Sequence, residues 1–394
     1  MNKRKGIAFL VNGEKPSYRN NMFLAALQSR GFSPVVFLRK EVDKGPDTVL
    51  RTDSQGMSVF TVQIMGGKGS NKRYGEQLKK ILARIKGSTS FIFATHLDHL
   101  LFLKKNRQSN VSVFYDLTEK SVTDKKIAIS KTSFRQLERA ARFAMRTVEQ
   151  RTLKSIGVKG VTIDGSMGED REKYAKTCPR VARVLTVPPA KYSLNEEEGA
   201  NIKKNLAGKR VVAALGDFSN WDDLSHAVEI AANVISCYDD VFFLFIGKTG
   251  LERSTLNETL AENGIKGRAI FLEGLSYGKM MAYLENSDVG MVFYSSAPEA
   301  RNSFDDLSMR IFSLMQAGLP VVASSESETS DVIKLSGCGL LVDTSSSVEF
   351  ASAVSYMLTS PDKARDSGEK GHDAFKNSYC WEKEQEQLMA IVGP

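Results

Sequence analysis

The chain has 394 residues, 42% hydrophobic and 25% charged, with 10 prolines and 30 glycines; this excludes collagen, coiled coil and wholesale disorder and leaves length for two or three domains with large cores. Its longest apolar runs, among them Ile7–Val11, Phe91–Ala94 and Val241–Ile246, fall far short of the ~20 residues of a membrane-spanning helix. The net charge of +8 is unevenly placed: residues 1–190 hold 36 Lys and Arg against 16 Asp and Glu, and residues 191–394 hold 18 against 30, so a half of +20 precedes a half of −12.

Met1–Lys5 carries three basic residues, but the apolar stretch behind them ends at Asn12-Gly13-Glu14 without a small-residue cleavage site, which predicts a cytosolic start. Cys178, Cys237, Cys338 and Cys380 lie more than forty residues apart. That spacing suits neither a metal site nor a disulfide framework, so buried thiols are expected. A basic half can serve nucleic acid, anionic lipid, an acidic substrate or its own acidic partner; no nucleic-acid motif accompanies it, and nucleic acid is set aside.

Short apolar runs of strand length alternate with amphipathic stretches of helical length, the pattern of doubly wound parallel sheets. In the first half, strands are predicted at Gly6–Val11, Pro34–Leu38, Phe91–Ala94, Val111–Tyr115 and Val158–Ile163, with helices at Asn20–Arg30, Tyr74–Lys86, His96–Asn106 and Lys131–Ser155. Thr186–Ala190 and the glutamate-rich Ser193–Gly199 read as a domain connection, because proline and charge replace periodic apolar residues. In the second half, strands are predicted at Arg210–Leu215, Val241–Ile246, Ala269–Leu272, Val289–Phe293, Pro320–Ala323 and Gly339–Val342. Helices follow at Asp222–Ser236, Glu252–Asn263, Tyr277–Asn286, Asp305–Ala317 and Val348–Leu358. Tandem domains of this kind bind ligands at the carboxyl ends of their strands, here in a cleft between them.

The most informative stretch is SMRIFSLMQAGLPVVAS at Ser308–Ser324, a helix stopped by Gly318 and Pro320 and followed by a buried strand. Before it, ENSDVGMVFYSSAPEARNSFDD carries a strand into a polar loop; FLFIGKTG is a strand with a glycine turn, and GCGLLVDTSSSVEFASAVSYML closes the series. In this order the segments resemble the donor-sugar half of GT-B glycosyltransferases, above all the retaining family 4, across nearly all of residues 208–360. In the first half YDLTEK, ATHLD and the Arg19 segment SYRNNMFLAALQSRGFSPVVF are similar to strand ends and the opening unit of acceptor domains in that family.

The resemblance implies an α/β GT-B fold, two Rossmann-like doubly wound domains facing across a cleft. Residues 1–190 would bind the acceptor and 191–375 the nucleotide-sugar donor, with the helix in 376–394 returning to the first domain. The activity implied is transfer of a sugar from a nucleotide-diphosphate sugar to an acceptor hydroxyl, with retention and, lacking an Asp-x-Asp motif, without metal or other cofactor. The acceptor expected is a lipid-linked sugar or surface polysaccharide, and the place is the cytoplasm or, peripherally, the anionic inner face of the membrane. Two alternatives stay open: an inactive GT-B subunit that binds a partner or a nucleotide sugar, and a GT-B nucleotide-sugar epimerase.

The chain departs from the family where most members carry two glutamates eight positions apart, with Asp305 and Ser313 there instead, and where Arg and Lys hold the pyrophosphate, with Asp217 and Asp222 in their place. A nucleoside diphosphate leaving group needs fixed positive donors, and Arg310 and Lys248 are the residues placed to supply them. Arg310 can equally pair with Asp306 at i,i+4 spacing, and Lys248 can be a solvated loop lysine. Gly216 and Gly247 either let the backbone approach the ligand or only make turns. Asp305, Asp306 and Ser308 open the helix, where they can orient sugar hydroxyls or simply complement its dipole. On the acceptor side Asp116, Glu119 and His96 are the candidates to take the acceptor's proton. Phe218 and Trp221 frame the cleft or belong to the core, and the lysine-rich stretches 68–86 and 120–131 face lipid or are solvated.

Overall fold

The computed structural model describes residues 5–54, 57–67, 69–85, 89–106, 111–117, 134–164, 171–292, 304–325, 330–343 and 346–393. Two compact units are present, one of Met1–Thr186 with Glu384–Pro394 and the other of Val187–Lys383.

Unit 1 holds β1 (Lys5–Val11), α1 (Tyr18–Ser29), β2 (Phe32–Val42), β3 (Thr48–Ser54), β4 (Met57–Met65), α2 (Ser70–Ile85), β5 (Thr89–Ala94), α3 (Leu97–Lys105), β6 (Ser112–Leu117), α4 (Phe134–Ile156), β7 (Gly160–Ile163), α5 (Arg171–Ala175) and β8 (Val181–Arg183). The strands form a single sheet in the order β3-β4-β2-β1-β5-β6-β7-β8, parallel throughout except for the β3–β4 hairpin. β1 is buried from Gly6 to Val11, as a central parallel strand covered on both faces must be. Phe9 stacks on Phe93 of neighbouring β5 with centroids 5.0 Å apart. α1 begins where Ser17 and Asn20 form a reciprocal capping box.

Unit 2 holds α6 (Glu196–Leu206), β9 (Arg210–Asp217), α7 (Trp221–Ile235), β10 (Val241–Lys248), α8 (Arg253–Glu262), β11 (Ala269–Leu272), α9 (Tyr277–Leu284), β12 (Val289–Val292), α10 (Phe304–Gln316), β13 (Val321–Ser324), α11 (Ser330–Ser336), β14 (Gly339–Val342), α12 (Ser347–Thr359) and α13 (Pro361–Ser378). α14 (Trp381–Val392) starts in unit 2 and from Glu384 belongs to unit 1. The sheet order β11-β10-β9-β12-β13-β14 is the Rossmann order, with its switch point between β9 and β12. All its neighbours are parallel. The core between this sheet and its helices is almost wholly aliphatic and aromatic, from Val212 through Phe245 to Phe350.

Three expectations are corrected. Ser193–Gly199 is not an irregular connection throughout, because Glu196–Glu198 form the first turn of α6. Asn195 caps that turn, its side chain accepting from the amides of Glu197 and Glu198 at 2.9 and 3.3 Å. Acidic residues at the start and Lys203 and Lys204 at the end suit the helix dipole, so the charge that suggests a linker stabilises a helix. The β3–β4 hairpin and β8 add strands without apolar runs of their own. Cys237 is exposed, while Cys178, Cys338 and Cys380 are buried. Among the described residues no helix is long and apolar enough to cross a membrane.

Candidate functional site

In unit 2 the carboxyl ends of β9, β10 and β11 surround a pocket of about 260 Å³. Gly216 and Asp217 close β9, and Gly247 and Lys248 close β10. Across the opening stand Met309 and Arg310 of α10, with an apolar wall of Leu272, Leu275 and Met280. Gly216, Gly247, Lys248 and Arg310 are thus brought to one place. The glycines are required by packing: Gly247, at φ +154°, would set a Cβ 1.8 Å from the carbonyl oxygen of Gly216, and a Cβ on Gly216 would lie 2.7 Å from the Phe218 ring. The Phe218 amide donates to the Lys248 carbonyl at 2.7 Å, tying the two strand ends together beyond the sheet.

Asp217 shares the pocket with both cations. Its carboxylate accepts from the Ser219 amide at 3.1 Å and hydroxyl at 2.6 Å. Burial acts to raise its carboxyl, but the Ser219 hydrogen bonds, followed by the charges of Arg310 and Lys248, hold it below the usual aspartate range. The pocket therefore carries an ionised acid beside two cations. Asp222, the other anion in this loop, is exposed in the first turn of α7 with its amide capped by Asn220. Phe218 is core and Trp221 is 53% exposed.

α10 is anchored on its opposite face. Ile311, Phe312, Leu314 and Met315 are fully buried or nearly so, which leaves half-buried Arg310 at the pocket edge. Ser313 is 1% exposed, donates to the Met309 carbonyl at 2.7 Å and lies 3.2 Å from the Tyr277 hydroxyl. That hydroxyl donates to Gln316 at 2.6 Å, and the Gln316 amide donates to the Pro189 carbonyl at 3.0 Å. At the position where the resemblance to family 4 implies a glutamate, this chain has a small buried hydroxyl that secures the helix. The side chains of Asp305, Asp306 and Ser308 lie outside the described residues.

In unit 1, Arg19 is buried and its guanidinium grips Asp116 with two nitrogens, at 2.9 and 2.8 Å. Thr162 donates to the same carboxylate at 2.6 Å, and Arg19 also donates to the Val184 carbonyl at 2.6 Å. Asp116 therefore joins α1, β6 and β7 through charge-assisted bonds in the interior. His96 is the N-cap of α3, its Nδ1 accepting from the Asp98 amide at 3.2 Å. Glu119 lies outside the described residues.

Sequence reading passes over the pocket's apolar wall and Gly274. That glycine follows β11 with φ +69°, as Gly216 and Gly247 end the neighbouring strands, so a third glycine at a strand's end is the signal available. The Thr249–Glu273 pair beside it, joined through the Thr249 amide at 3.3 Å and hydroxyl at 3.2 Å, has no motif to mark it.

Solved structures place this two-domain arrangement of parallel sheets in the GT-B fold. The chain is similar to sucrose-phosphate synthase from Thermosynechococcus elongatus, with 16% identity over 99% of this chain and 98% of that one and a TM-score of 0.67. It is similar to HepE from Anabaena, solved with UDP and glucose, with 15% identity over 98% of each chain and a TM-score of 0.65. A third likeness is to WaaG, a glycosyltransferase involved in lipopolysaccharide biosynthesis, with 12% identity over 98% of this chain and 100% of that one and a TM-score of 0.63. Residues 196–374, which include the whole pocket, match the family of glycosyl transferases group 1. Fold and family match together support glycosyl transfer as the class of activity. No curated protein matches the sequence significantly.

Proposed function

We propose that the protein is a glycosyltransferase that holds a nucleotide-diphosphate sugar in the unit 2 pocket and moves the sugar to an acceptor hydroxyl. The observation that carries this reading is the convergence of Arg310 and Lys248 on strand ends that close packing at Gly216 and Gly247 brings together at one pocket. As the bond from the anomeric carbon to the β-phosphate oxygen breaks, negative charge grows on the diphosphate. A guanidinium fork and an ammonium fixed at that place stabilise it most when it is most charged. In this reading the two side chains do the neutralising without a metal, and the sugar is transferred with retention, as the resemblance to family 4 implies.

The acceptor side belongs to unit 1, whose surplus of basic residues suits a lipid-linked sugar or a surface polysaccharide at an anionic membrane. There the Arg19–Asp116 pair holds α1 and β6 in place, which makes Asp116 a positioning residue. The test is direct. The full chain is incubated with UDP-, GDP- and ADP-sugars and an extract of lipid-linked acceptors, and release of nucleoside diphosphate with labelled sugar in the lipid fraction is followed. Acceptor-dependent release with transferred label supports the proposal; conversion of the donor without acceptor favours an epimerase, and absence of any donor binding favours an inactive subunit.

A further inference from the structure

Unit 1 contains a larger cavity that the donor reading leaves unused, a groove of about 490 Å³ between α2 and α3, within the ~300–1,000 Å³ of small-molecule sites. We infer that this groove binds a phosphate ester, the anionic end of the acceptor. The inference rests on the glycosyltransferase reading for the word acceptor; the binding itself is a property of unit 1.

Four cations line the groove: Arg39 from β2, Lys72 and Lys79 from α2, and Lys105 from α3. Two carboxylates, Glu76 and Asp98, share it, so the lining carries an excess of two positive charges. Asp98 is already engaged, 3.8 Å from the Arg39 guanidinium and accepting from the Asn71 amide at 3.3 Å. Lys72, Lys79 and Lys105 are exposed, and none has an ion-pair partner among the described residues. Lys72, Gly75 and Lys79 fall on one stripe of α2, and Phe102 and Lys105 on one stripe of α3. The cations are therefore presented along two facing helices rather than scattered.

Two further observations mark a built cavity. Gly75 sits in the interior of α2, where glycine costs roughly 1 kcal/mol relative to alanine, and a Cβ there would stand 3.2 Å from the Phe102 ring. The glycine lets the Phe102 ring pack closely against α2 in the groove wall. Tyr74 lines the same cavity, is 4% exposed and has Arg39 over its ring at 5.3 Å, which sets a cation and an aromatic face side by side in the wall. Several cations over an aromatic and aliphatic wall of Tyr74, Leu101 and Phe102 suit a doubly charged phosphate carrying a sugar or lipid body.

Calorimetric titration of the full chain tests this, with glucose 6-phosphate as the soluble probe and phosphatidic acid in phosphatidylcholine vesicles as the lipid probe. UDP is titrated in parallel to report on the donor pocket. Replacing Lys72, Lys79 and Lys105 together by alanine changes exposed positions and should weaken the probe that binds by about tenfold or more, with UDP affinity unchanged. Lys79→Glu alone should weaken it in the same sense, which keeps the test decisive if the triple variant folds poorly. Lysine-dependent binding of glucose 6-phosphate, or of vesicles only, supports the inference and identifies the source of the phosphate. If the parent binds neither probe, or the variants bind as tightly as the parent, the inference is overturned. Failure of UDP, and of GDP and ADP titrated in the same way, beside lysine-dependent binding of a phosphate probe removes the donor reading and leaves the groove standing.

Discussion

Asp217 and Lys248 face each other in register as the last residues of the parallel strands β9 and β10, so an acid and a base stand side by side at the mouth of the pocket. Without a ligand the carboxylate offsets part of the positive charge of Lys248 and Arg310. A bound diphosphate would meet that carboxylate as a like charge. Asp217→Asn should therefore raise affinity for a nucleoside diphosphate several-fold, about 1 kcal/mol if the repulsion is screened as in water at about 4 Å and more if it is less screened, as read by calorimetry. Weaker binding would mean that Asp217 contacts the ligand's hydroxyls instead. Because its folded carboxyl titrates below the usual range, Asp217 contributes stability above the ordinary aspartate pKa that is lost as pH falls through the folded value. The Asp217→Asn variant would lack that acid-dependent part.

Gly247→Ala tests the backbone of the pocket. The new methyl would lie 1.8 Å from the Gly216 carbonyl oxygen, a clash with backbone that no side-chain rotamer relieves. A loss of about 3 kcal/mol or more in urea unfolding is expected, together with loss of nucleotide binding. Gly264→Ala is the control: its Cβ meets nothing within 4 Å and the strain of its φ of +71° is local, so it should cost about 1 kcal/mol.

Asp116→Asn distinguishes a structural from a proton-transfer role. It removes the nearer of two buried counter-charges from the Arg19 guanidinium and leaves Asp164 at 3.7 Å, which should cost roughly 3 kcal/mol of stability. Replacing all three charged groups together, Arg19→Met with Asp116→Leu and Asp164→Asn, should cost less, because no buried charge is left over. Turnover lost from Asp116→Asn with an unchanged melting temperature would assign the carboxylate to chemistry.

His99 is 1% exposed and neither ring nitrogen has a hydrogen-bond partner among the described residues. Burial, reinforced by the nearby charges of His96 and Arg39, pushes its pKa well below that of a free histidine. The unfolded chain then binds a proton near pH 6.5 that the folded chain refuses, so stability should fall on acidification below that point, by up to about 1.4 kcal/mol per pH unit. His99→Leu should remove this slope and raise stability at pH 7.5 by about 1 kcal/mol. Urea unfolding of parent and variant at pH 7.5 and 5.5 measures both effects; parallel pH dependences would contradict the assignment.

The parallel strands are legible in the sequence because central strands such as β9 and β10 are continuous apolar runs, and their closing glycines point to the pocket. Arg310 is legible from its spacing to Gly318. The edge strand β3 is not, since Arg51, Thr52 and Asp53 are exposed with no hydrophobic signal, whereas β4 does carry alternating apolar residues in Phe60, Val62 and Ile64. Ser313 cannot be placed from sequence, because its burial depends on Tyr277 and Gln316, which reach it through tertiary packing. The groove in unit 1 is visible only as a charge run. Its meaning depends on Gly75 and Phe102, which helix packing brings together across more than twenty residues.

The central claim is that Arg310 and Lys248 hold the diphosphate of a nucleotide sugar, and calorimetric titration of UDP, GDP and ADP into the parent, Arg310→Ala, Arg310→Lys and Lys248→Ala proteins tests it most directly. One nucleotide should bind the parent and lose roughly 2–3 kcal/mol of affinity in Arg310→Ala, with Arg310→Lys recovering only part because it keeps the charge and not the fork. Lys248→Ala should fall between. The helix should stay folded, since Ile311, Leu314 and Met315 supply its buried face. Equal affinity of parent and Arg310→Ala for the bound nucleotide, with both proteins folded, would contradict the account.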